Sequence, residues 1–143
     1  MKTNYIKKLN KIFSKDIFYV RIFRKKIEIR NVKTDQEISY KIAQNYSNSR
    51  MLIADFEVFE QELRNAIKQI KEPKIFSQSI QIVFQPVDET VTEYSTVEKR
   101  VFRDSCEYAG ASDIYIYLEK NKLTNQVIIE GINSKFKKSE FER

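Results

Sequence analysis

Glu98 is the one position in this chain to weigh for chemistry, since a carboxylate can act as a general acid or base. The chain has no histidine, so the commonest general base is missing, along with every Ser-His and Cys-His nucleophile pair. Zinc sites of the Cys/His type are excluded for the same reason, since Cys106 is the single cysteine. The two glycines, Gly110 and Gly131, cannot build a loop that lays several unhindered amides on a phosphate. Neither G-x-x-x-x-G-K nor G-x-G-x-x-G occurs. Asp55 and Glu57 fit the cap and first turn of a helix, where acids serve the helix dipole. Cys106 falls within a helical pattern and reads as a small core residue.

Glu98 also has a plain structural reading. Ser95-Thr96-Val97-Glu98 matches a capping box, with the serine hydroxyl serving the Glu98 amide and the Glu98 carboxylate reaching back to the cap amide. Elements on either side must position it. Phe56, Phe59, Leu63, Ala66, Ile67 and Ile70 recur at helical spacing behind Asp55, and Pro73 stops that helix. Ser79–Phe84 is apolar enough for a central strand, which Pro86 ends. The helix behind Ser95 runs to about Tyr108, and Gly110 suits the left-handed C′ position. Ile114–Leu118 reads as the next strand.

Upstream, Ile17–Phe23, Lys26–Arg30 and Glu37–Ala43 are β-branched, aromatic or strictly alternating, and read as three strands joined by short connections. Downstream, Asn121–Asn125 turns the chain into Gln126–Glu130, whose β-branched run admits one further strand. The tail from Lys135 reads as charged and frayed. The order β-β-β-α-β-α-β implies three antiparallel strands followed by two βα crossover units. That is a single α/β, ribonuclease-H-like layer with a mixed five- or six-stranded sheet. The expected organisation is a basic segment over 1–15, one domain over 16–133 and a tail over 134–143.

Two stretches carry a family resemblance. Met51-Leu52-Ile53-Ala54-Asp55-Phe56-Glu57-Val58 resembles the "IADFEVTE" entry of the MreB rod-shape-determining family of bacterial actins. Thr96–Ser105 followed by Ala109-Gly110-Ala111-Ser112-Asp113-Ile114-Tyr115 resembles that family's "VERRAIRESA…AGAREVYL". Asp55, Glu98 and Gly110 are the family-motif positions. The resemblance covers about residues 50–118 and implies an actin-type first subdomain, under half the length of a complete actin-like protein. It also implies a glycine-rich "DLGT" phosphate loop near Asp16, where Asp16-Ile17-Phe18-Tyr19-Val20-Arg21-Ile22-Phe23 stands instead. In the family, the residue at Glu98 orients the hydrolytic water. Here the phosphate loop is lacking, and Val87–Tyr94 is longer than the family's "SGITE" turn. The resemblance therefore implies a protein without enzymatic activity or cofactor, its nucleotide binding lost.

The charge distribution bears on partners. Of 26 Lys/Arg and 20 Asp/Glu in 143 residues, eleven bases and two acids fall in residues 1–33. Tyr5, Ile6, Leu9, Ile12 and Phe13 share one arc of a short helix over 3–13, with Lys7, Lys8 and Lys11 on the other side. That form suits an anionic membrane surface, and it equally suits packing back on the sheet. Lysine-interleaved aromatics over 5–26 admit nucleobase stacking, so a ribonuclease-H-like nucleic-acid module is the alternative. A solvated basic surface explains the charge as well. No run of 18 apolar residues and no signal peptide occur, so a cytoplasmic location is expected, with peripheral attachment at the inner membrane face. The resemblance implies as partner a full-length MreB-like protein, an elongation-complex protein or a second copy. A degenerate paralogue without activity also fits.

Overall fold

The computed structural model describes residues 16–71, 80–91, 93–134 and 141–142. The expected N-terminal helix, with Tyr5, Ile6, Lys7, Lys8, Leu9, Lys11, Ile12 and Phe13, lies outside them, as does Pro73.

The strands are β1 (Asp16–Ile22), β2 (Lys26–Asn31), β3 (Glu37–Lys41), β4 (Ile80–Pro86), β5 (Ala111–Tyr117) and β6 (Phe141–Glu142). The helices are α1 (Phe56–Ile70), α2 (Thr96–Tyr108) and α3 (Asn125–Asn133). They form one mixed sheet in the order β3-β2-β1-β4-β5-β6. β1–β2 and β2–β3 pair antiparallel, whereas β1–β4 and β4–β5 are parallel. A helical crossover makes each parallel step possible, because a tight turn can only reverse the chain.

β1 reads as an unbroken apolar run because both of its faces are covered. Phe18, Val20 and Ile22 face one core, together with Ile27, Ile29, Ile82, Phe84 and Ile116 of the neighbouring strands. Phe59, Leu63, Ala66, Ile67 and Ile70 of α1 and Phe102 and Cys106 of α2 close that core. Ile17 and Tyr19 face the opposite way, into a second core with Val83, Tyr115, Tyr117, Leu123 and Ile128, Ile129 and Ile132 of α3. Among the described residues, two helices thus cover one face of the sheet and one covers the other.

The caps follow the sequence closely. The Asp55 carboxylate accepts from the Val58 amide at 3.1 Å and starts α1. Ser95 Oγ accepts from the Glu98 amide at 3.1 Å and starts α2. Gly110 has φ +104°, and a Cβ there would meet nothing within 4 Å. The position therefore demands glycine for its backbone conformation and not for space.

Two expectations are corrected. Gln126–Glu130 is helical, not a strand. Thr124 Oγ1 accepts from the Val127 amide at 3.2 Å, and the Ile128, Ile129 and Ile132 side chains gather on one buried face while Val127 stays exposed. A local cap and burial at helical spacing outweigh the modest β preference of the β-branched run. The sixth strand lies instead in the tail expected to fray. Phe141 and Glu142 pair antiparallel with Tyr117 and Ile116.

β3 also stops earlier than expected, at Lys41. The buried Glu62 carboxylate of α1 accepts from the Ala43 amide at 3.1 Å and the Gln44 amide at 3.0 Å, and this draws the chain off the sheet. The Tyr40 hydroxyl donates to the same carboxylate at 2.7 Å.

Candidate functional site

Open sheets bind ligands at the carboxyl ends of their strands, where the chain leaves neighbouring strands in opposite directions. Here that place is the end of β1 and β4. The chain turns from β1 into the Phe23–Lys25 hairpin towards β2, and leaves β4 through residues 87–95 towards α2.

Arg24, at the tip of the hairpin, closes this end. One guanidinium nitrogen meets Asp88 Oδ2 at 2.7 Å and Thr90 Oγ1 at 3.1 Å. The other donates to the Asn48 carbonyl. Asp88 Oδ1 accepts in turn from the Thr90 amide at 3.1 Å and its hydroxyl at 3.0 Å. The Asp88 side chain is 4% exposed and that of Arg24 30%. Burial pushes the Asp88 carboxyl up. The Arg24 guanidinium and the two Thr90 donors outweigh it and hold the group below the usual carboxylate range.

Tyr94 lies within electrostatic reach of this pair, its ring edge-on to Phe102 with centroids 5.3 Å apart. Among the described residues its buried hydroxyl finds no hydrogen-bond partner. Burial raises its pKa, and the charges of Asp88 and Glu98 push the same way. A phenol held this firmly protonated is a hydrogen-bond donor and not a base.

Glu98 sits in the first turn of α2, half-buried. Its carboxylate accepts from the Ser95 hydroxyl at 3.2 Å, where the expected capping box would have it accept from the Ser95 amide. The capping serine is therefore both acceptor and donor, and Glu98 is tied to its own helix start. Asp55 caps α1 and Gly110 follows α2. Among the described residues no hydrogen bond or ion pair joins any two of the three family-motif positions. Each serves a separate helix end. Cys106 is fully buried, and burial raises its thiol pKa, which makes the thiol an inert core group.

A groove of about 590 Å³ opens beside the hairpin. Arg24, Lys25 and Lys41 line it with Asn45, Asn48 and Ser49, and among the described residues no acid lines it. Among the described residues no group of three or more His, Cys, Asp or Glu side chains could hold a metal ion. No helix among them is long and apolar enough to cross a membrane.

The Arg24–Asp88 pair and two buried polar centres were not anticipated from the sequence. Gln85 is fully buried on the central strand. Its Oε1 accepts from the Tyr19 hydroxyl and from Arg21 Nε at 3.0 Å. Its Nε2 donates to the Glu119 and Asn121 carbonyls at 2.6 and 2.9 Å. Gln85 thereby fastens the loop after β5, as Glu62 fastens the loop after β3. The signals were a glutamine in an apolar strand and a glutamate within the apolar arc of α1, since buried polar groups need partners. Compared with known proteins, the chain matches no family model, and no curated protein matches it.

Proposed function

We propose that this chain is a non-catalytic structural or interaction protein of MreB-like, actin-type descent, with nucleotide binding lost. The strand order, with two helices on one face and one on the other, is what a ribonuclease-H-like actin subdomain requires. One observation carries the loss of nucleotide chemistry. The stretch where the resemblance puts the glycine loop, Asp16–Phe23, holds no glycine and forms β1 up to Ile22, and Arg24 just behind it is held by Asp88 across the end of β1 and β4. That ion pair lies across the strand ends, and Glu98 serves its own helix cap.

The working place for such a protein is the cytoplasm, at the inner face of the membrane. Tyr5, Ile6, Leu9, Ile12 and Phe13 would supply the apolar contact. Lys7, Lys8 and Lys11 would each add about 1 kcal/mol of attraction to anionic lipid. The protein partner is a full-length MreB-like protein, an elongation-complex protein or a second copy of the chain.

Co-sedimentation with phosphatidylglycerol-rich vesicles tests the membrane side of this reading. The chain should pellet with the vesicles and largely remain bound in moderate salt. A Leu9→Ser, Ile12→Ser variant should stay in the supernatant. Failure of the parent chain to pellet, or complete release by salt, would contradict it.

The basic groove favours a second reading, a nucleic-acid-binding module of the same fold. Phosphate neutralisation by Lys25 and Lys41, beside the Arg24 already paired with Asp88, would give binding that falls steeply with salt. Apolar membrane contact would not show that steepness.

A further inference from the structure

Among the described residues the outer side of β3 ends the sheet, and its sequence is Glu37-Ile38-Ser39-Tyr40-Lys41. The phase of its hydrogen bonding is fixed at both ends. The Asn31 amide donates to the Gln36 carbonyl at 2.8 Å, and the Ile42 amide to the Lys25 carbonyl at 3.3 Å. With Ile27 opposite Tyr40 and Ile29 opposite Ile38, the even-numbered residues point their backbone groups at β2. Those of Glu37, Ser39 and Lys41 point outwards, away from the sheet. All three side chains are exposed.

Lysine on an edge strand ordinarily blocks strand addition. This edge lacks that protection in one geometry. Its charges are opposite and symmetric about Ser39. An antiparallel copy on a two-fold axis at Ser39 sets Glu37 opposite Lys41 of the second copy, and Lys41 opposite its Glu37. Parallel pairing would set like charges side by side. Glu37 Oε1 is taken by Lys122 at 2.8 Å and approached by Arg30 at 3.9 Å. Its second carboxylate oxygen remains for an incoming ammonium. Among the described residues Lys41 has no acidic partner. On the other side of the strand Ile38 meets Tyr40 of the copy, a favourable β-branched–aromatic pair. α1 lies chiefly over β2, set back from the edge, so the helices of two copies stand apart.

We infer that the outer edge of β3 pairs antiparallel with the β3 edge of a second copy of this chain, on a two-fold axis through Ser39. The interface is isologous, and it adds about six backbone hydrogen bonds. It is bounded by the left-handed Asp35 (φ 63°) before β3 and by the Glu62 anchor after it. The inference rests on the interaction-protein reading and deepens it by naming one partner.

Sedimentation equilibrium tests it. An interface of five residues a side is small, so loading should run from about 10 µM to about 1 mM. The chain should dimerise reversibly within that range. Ser39→Pro should abolish dimerisation with little change in melting temperature, because the N–H it removes takes no part in the sheet. Lys41→Glu and Glu37→Lys should each weaken self-association by roughly tenfold. An equimolar mixture of the two should pair as a heterodimer near the parent affinity.

A chain monomeric throughout would overturn the inference. So would a dimer indifferent to Ser39→Pro, or a mixture no tighter than either variant. Vesicle binding is read separately, so a monomeric chain that still pellets overturns the β3 pairing alone and leaves the interaction reading standing.

Discussion

Phe84→Ala should cost about 3–5 kcal/mol of stability, the range for truncating a fully buried phenylalanine. The Phe84 ring is stacked on Phe102 of α2 with centroids 5.0 Å apart, and meets Phe59 of α1 edge-on at 6.2 Å. Phe59 in turn meets Tyr46 at 5.0 Å, and Phe102 meets Tyr94 at 5.3 Å. One aromatic row therefore joins the loop before α1, both helices of that face, β4 and the segment that carries Tyr94. Truncation at its centre removes contacts to two helices at once and leaves a cavity that neither can fill alone. Domain stabilities are about 5–15 kcal/mol, so a large share would go. Phe84→Leu should cost less, because it keeps most of the volume. Urea denaturation followed by circular dichroism measures both. A loss below about 1 kcal/mol for Phe84→Ala would mean that this row does not hold the helices to the sheet.

Arg24→Ala should cost about 2–4 kcal/mol, because it strands the Asp88 carboxylate in a nearly closed site. Asp88→Asn should cost less. Its partner Arg24 is 30% exposed and can rehydrate, whereas Asp88 cannot. This asymmetry distinguishes a buried structural pair from a surface one, for which both substitutions would be near neutral. The pair also sets a pH dependence. The folded carboxyl titrates below its unfolded value of about 4, so the folded state holds this proton less tightly. The stabilisation is complete above that value and is lost as pH falls through the lower folded one. Acid unfolding curves should show this increment in the parent chain and lack it in Asp88→Asn. Equal losses in both proteins below pH 4 would contradict it.

Strand and helix periodicity carried most of the fold. β2 and β3 alternate because one face of each is less covered, and α1 and α2 announce their starts through Asp55 and Ser95. The stretch 126–130 misled because Val127, Ile128 and Ile129 favour strands in isolation, while the Thr124 cap and the Ile128–Ile132 spacing favour a helix. β6 could not be read, since a two-residue strand has no period. The candidate site was the least legible part. Arg24 and Asp88 stand 64 residues apart, and nothing local marks them as partners. What could be read was the lack of glycine over Asp16–Phe23, which is β1 up to Ile22. The arginine in the hairpin behind it became visible as the partner of Asp88 only once β1 and β4 were side by side. Glu62 and Gln85 left clearer marks, each a polar residue in an apolar pattern, and each holds a loop.

Titration of the purified chain with magnesium ATP, followed by calorimetry, asks whether nucleotide binding has been lost. No saturable binding is expected up to millimolar nucleotide, because Arg24 and Asp88 pair across the strand ends and no glycine loop receives the phosphates. Saturable binding at micromolar concentration would contradict the loss of nucleotide binding.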